Sequence, residues 1–152
     1  MTLLQLLHDR GDAIVEDAFH AMERSHLKSY EQAGMDRTRA RLRDLYQLTV
    51  AAIAERKLVP IVKHAEAIGH ERFSAGFDLW EVQTAFNVLE EAIWQRIIKE
   101  LPPEEYAEAL GLVGTVLGAG KDALARAYVS LASKSKSPTL NLQSLFSGSV
   151  GA

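Results

Sequence analysis

Five histidines, His8, His20, His26, His64 and His70, are the residues of this chain with the widest chemical reach. Neutral imidazole binds metals and moves protons near pH 7. Their spacing argues against most of that chemistry. A zinc peptidase places two histidines as H-E-x-x-H, so that both face one side of a helix. His64-Ala65-Glu66 and His70-Glu71 do not make that pattern. A di-iron bundle needs Glu-x-x-His pairs on facing helices. Glu23 to His26 supplies one, and Glu66 to His70 misses the second by one residue. The chain has no cysteine, which removes disulfides, thiolate metal sites and thiol nucleophiles. The serines crowd toward the C-terminal end, away from any histidine and carboxylate that could activate them. Glu90 and Glu91 point to different sides of a helix and read as solvated. One rival remains: His64 or His70 as an axial ligand to haem iron, as in globins. A hydrogen-bonded histidine at a core edge is preferred for His64, so no cofactor, metal or catalytic residue is expected.

The stretch GLVGTVLGAGK, ending at Lys121, invites comparison with a phosphate-binding loop, but it lacks the preceding strand and the Walker spacing. It reads better as helix. Ala107, Gly111, Gly114, Gly118 and Ala125 then share one face, beside a bulky one of Leu110, Val113, Leu117, Leu124, Tyr128 and Leu131. A helix-interior glycine costs about 1 kcal/mol against alanine, so a close helix approach should offset the cost. Its partner is either the central helix or a second copy of the chain. Trp80 and Trp94 suit core or interface packing better than ligand stacking. Gly111, Gly114, Gly118, Tyr128 and Trp94 are therefore the candidate packing and dimer residues.

These residues need helices to carry them. Leu79, Val82, Phe86, Leu89, Ile93 and Ile97 recur at the period of one helix face, which predicts a central helix. Gly76 suits the left-handed residue after the preceding helix, and Asp78 with Glu81 has capping-box spacing. Leu101-Pro102-Pro103 stops the central helix. A first helix is expected over residues 3–24, with a kink or break at Gly11. Ser25 to Gly34 reads as a connection with room for a short turn. Asp36 is the expected N-cap of a second helix, whose basic side (Arg37, Arg39, Arg41, Arg43) reads as a solvated surface in preference to an anion site. Pro60 fits the first position of a third helix running to about Ala75. Glu104 and Glu105 suit the first turn of a last helix reaching about Ser133. The expected fold is all-α, a single globin-like or bundle-like domain of about five helices over residues 1–133.

Residues 134–152 turn rich in Ser and Gly, a composition that favours flexibility. Leu140, Leu142, Leu145 and Phe146 make this tail a candidate docking peptide for a partner. With 152 residues, 47% apolar and 24% charged, the chain can bury a core unaided. A formal charge of −3 gives no footprint for nucleic acid or an anionic membrane. No apolar run approaches the ~20 residues that span a bilayer, and the N-terminus lacks the basic start of a signal peptide. The cytoplasm is the expected compartment.

Glu71 to Val82 (ERFSAGFDLWEV), the following F-x-x-L-E-E-x-I-W and the closing ALARAY (Ala123 to Tyr128) together resemble one family. The chain is similar to the N-terminal domain of the RsbR/RsbD type, co-antagonists of the RsbT kinase in bacterial stress signalling. Arg72, Gly76, Glu81 and Val82 occupy the positions that match. The resemblance implies a helical sensory module, usually dimeric, without haem and without catalysis. Multidomain members place a phosphorylatable STAS domain after it, for which no room is expected beyond Ser133. The expected function is therefore non-enzymatic regulation through a homodimer and a protein partner, with a haem- or small-ligand-binding sensor as the alternative.

Overall fold

Thr2 starts the first helix with a capping box, its hydroxyl accepting from the Gln5 amide while the Gln5 side chain accepts from the Thr2 amide. The computed structural model describes residues 1–136. Within them the order is α1 (Leu3–Asp9), α2 (Gly11–Ser25), α3 (Lys28–Ala33), α4 (Met35–Glu55), α5 (Val59–Ser74), α6 (Leu79–Glu100), a 3-10 turn (Pro103–Glu105) and α7 (Tyr106–Lys136). No strand occurs among the described residues.

Seven helices stand where about five are expected, for two local reasons. The first pattern breaks at Arg10, one residue before Gly11, and the Arg10 guanidinium reaches Glu100 at 2.9 Å. The polar connection after Ser25 contains α3, whose Tyr30 is buried edge-on against Phe77 at 4.9 Å. Asp36 does not cap α4. Gly34, at φ 101°, holds that position, and Asp36 lies exposed in the first turn. Pro60 sits second in α5, after Val59.

The α6 stripe is confirmed as core: Val82, Phe86, Leu89, Ile93 and Ile97 are buried, with Leu79 partly so. α6 packs between α2 and α7, while α7 packs most extensively on α5. Close approach is bought at two glycines. A Cβ on Gly69 would come within 2.9 Å of the Ala127 Cβ, and one on Gly120 within 2.9 Å of the Phe86 ring. Tyr46, buried on α4, donates its hydroxyl to the Leu7 carbonyl and ties α1 to the core.

Phe86 is 1% exposed, and its ring is what a side chain at position 120 would meet. Gly120→Val should therefore lower unfolding stability by about 2–3 kcal/mol through overpacking. Urea titration with an unchanged slope and a lower midpoint would show it; an unmoved midpoint would refute the tight contact.

Candidate functional site

The turn from α5 to α6 builds the most polar part of the interior. The Phe77 amide donates to the Arg72 carbonyl at 2.9 Å and the Gly76 amide to the Phe73 carbonyl at 3.1 Å, a Schellman closure with Gly76 at φ 86°. Only glycine adopts that angle without a Cβ penalty. Asp78 and Glu81 then form the expected capping box. Glu81 does more than cap. It is 3% exposed and accepts from the Asp78 amide (3.0 Å), the Ser29 amide (3.0 Å) and the Ser29 hydroxyl (2.7 Å), binding α3 to α6. Burial alone would raise its pKa, but the donors from Ser29 and Asp78 together hold it below the usual carboxylate range.

Beside this turn, two arginines turn inward. Arg72 on α5 is 3% exposed, its guanidinium over the Phe77 ring at 5.6 Å. Arg41 on α4 donates to Glu71 Oε1 at 3.1 Å, and Arg72 donates to the same oxygen. Burial, and after it the Arg72 charge, push the Arg41 pKa down. Thr38, Arg41 and Arg72 line a void of ≈ 20 Å³ that is otherwise walled by residues such as Tyr30, Leu42, Leu45 and Phe86. Thr38 Oγ1, Arg41 Nη1 and Arg72 Nε are buried with no hydrogen-bond partner among the described residues.

The outer face is different. Trp94 and Ile98 on α6 remain exposed, as does Trp80 at the start of that helix. Gly111, Gly114 and Gly118 on α7 do not receive the central helix closely. A Cβ at Gly111 or Gly118 would meet nothing within 4 Å, and one at Gly114 only Glu90 Oε2 at 3.8 Å. Tyr128 is buried instead, donating its hydroxyl to the Phe77 carbonyl at 2.9 Å and meeting Phe73 edge-on. Its role is packing inside the domain.

Neither candidate haem histidine faces an enclosed pocket. His64 is half-buried at a shallow surface groove with Asp44, Gln47 and Leu48, its pKa lowered first by burial, while Asp44 pulls the other way. His70 is exposed. Their placement lends the haem reading no support. His20 and His26 pair with Glu23 and Glu31 at the surface, and no group of three metal-binding side chains forms among the described residues. An open groove of ≈ 400 Å³ lies where α1, the end of α4 and the start of α7 meet. No described helix is long and apolar enough to cross a membrane.

The family profile of the N-terminal domain of the RsbT co-antagonist protein rsbRD matches residues 5–133. The chain belongs to this family. No curated protein and no solved structure matches it. The RsbT co-antagonist N-terminal domain is a regulatory signalling module, and the residues that carried the resemblance have structural duties in this one. Arg72 and Glu81 are the buried charges of the turn, Gly76 supplies its left-handed step, and Val82 packs beneath it. Sequence reading left Arg41 on a solvated surface and gave Arg72 a place in the family match but no structural duty. The signal for Arg72 was its place in line with Ile61, Ala65 and Gly69 on the buried face of α5. Leu140, Leu142, Leu145 and Phe146 lie outside the described residues.

A group whose folded pKa is depressed stabilises above its unfolded pKa and loses that contribution as pH falls through the folded value. For Glu81 the loss lies below about pH 4.3, the ordinary glutamate value. Glu81→Gln should cost about 1–3 kcal/mol at neutral pH and flatten part of the acid limb of Tm against pH. An acid limb identical to that of the unaltered protein would show that Glu81 plays no such part.

Proposed function

We propose that this chain is a non-enzymatic regulatory domain of bacterial stress signalling, globin-like in plan. It pairs with a second copy of itself in the cytoplasm and conveys its state to a protein partner. Family membership supports the regulatory part. One observation carries the pairing: three glycines in the interior of α7 whose cost nothing inside the domain offsets. Gly69 and Gly120 are needed where helices touch, whereas Gly111 and Gly118 face open space. At about 1 kcal/mol each, the smooth face is best explained by a helix arriving from outside. Glu90, one turn before Trp94 on α6, borders Gly114, so the projecting ring and the smooth face adjoin. A two-fold contact would bring each tryptophan toward the partner's glycines, the self-complementarity that a symmetric dimer requires.

Sedimentation at micromolar concentration should give twice the chain mass of 16.8 kDa. Gly111→Leu with Gly118→Leu should return the chain to monomer with helicity intact, and should raise monomer stability by up to about 1 kcal/mol per site through helix propensity. Trp94→Ala should weaken association too. A monomeric unaltered chain, or a double variant that still dimerises, refutes this face.

A further inference from the structure

The buried arginine cluster has a use that self-association does not touch. Glu71 Oε1 serves both guanidiniums, and no ion pair joins Glu81 to either of them. Glu81 is committed to Ser29 and Asp78. The pair therefore carries two positive charges against one partnered carboxylate. Each arginine gives one N–H to Glu71 and keeps another buried and unpaired: Nη1 on Arg41 and Nε on Arg72. The Thr38 hydroxyl, on a residue 1% exposed, lines the same void and is also unpaired. Two charged donors and one neutral donor at a single void describe an acceptor with negative charge.

Size narrows the class. A cavity needs roughly 10–15 Å³ open to a water-sized particle to hold one water, and this void has ≈ 20 Å³. Phosphate, sulfate and carboxylate metabolites are too large for it. Beyond these three residues and Tyr30 its walls are apolar, from Leu42, Leu45, Ile68, Val82, Ala85 and Phe86, which favours a weakly hydrated ion. Arg41, whose side chain is 23% exposed, reaches from this void to the exposed Glu71.

We propose that Thr38, Arg41 and Arg72 form a binding site for one halide-sized monoanion, chloride being the plainest case, which clamps α4 to α5 beneath the α5–α6 turn. The site neither requires nor excludes a dimer, so sedimentation and anion binding succeed or fail separately.

The test uses the full chain in sodium chloride, bromide, acetate or sulfate against sodium gluconate at equal ionic strength. Chloride and bromide should raise Tm saturably, by about 3–6 °C at ten times the dissociation constant. Crystals grown in bromide should show an anomalous peak among the three side chains. Thr38→Val, close in shape to threonine, should fold and lose most of the halide-dependent rise, as should Arg41→Gln. Arg37→Gln, at an exposed arginine of the same helix, should keep it. Equal Tm in chloride and gluconate, with no bromide peak, overturns the site. So does acetate acting as well as bromide, or a sulfate-dependent rise that Thr38→Val abolishes, because the size argument would then fail.

Discussion

A turn of four residues, Ala75 to Asp78, carries α5 into α6, and hydrogen bonds lock it from both sides. Arg72 and Phe73 give their carbonyls to it from behind, and Glu81 takes the Asp78 amide from in front. Both helix ends are thus capped by their own turn, which holds the step from α5 to α6. Two charges are buried beside this lock. Arg72 offers its carbonyl to Phe77 and its guanidinium lies over that ring. Glu81 caps Asp78 as Gln5 caps Thr2, but where Gln5 is exposed, Glu81 is buried and takes its further donors from Ser29.

The signals that α6 carried in its own sequence were legible, whereas the Asp36 cap expected for α4 was not realised. The α6 stripe, its capping box, the glycine before it and the proline stop after it are local features, and all stand in the structure. What escaped depended on partners distant in sequence. α3 has no apolar period of its own; Tyr30 meets Phe77, and Ser29 reaches Glu81 fifty-two positions away. The four arginines of α4 look alike as letters. Arg37 and Arg43 are solvated as expected, Arg39 pairs with Glu16 and lies over Phe19, and Arg41 meets α5. Periodicity cannot sort these fates, because each depends on which helix faces that flank of α4.

The glycines illustrate the same limit from another side. Their spacing on α7 announced a smooth face, and the face exists. Composition could not say that Gly120, outside the stripe, is the glycine Phe86 needs, nor that Gly69 on α5 is matched to Ala127. Those two contacts explain why α7 lies so close to α5 and α6. With the interior satisfied by different glycines, the stripe is left without an intramolecular reason.

Two arginines at one carboxylate are a poor way to gain stability, since apolar residues of like volume often serve a core equally well or better. Their effect lies in what they connect. α4 supplies Thr38 and Arg41, α5 supplies Ile68 and Arg72, and α6 supplies Val82, Ala85 and Phe86 to the same void. The 22 residues of α6 then run about 33 Å at 1.5 Å per residue. They contain no proline and no glycine at which such a rod would kink. The buried cluster at the start of this rod and the exposed Trp94 and Ile98 near its end are thus joined by one unbroken helix.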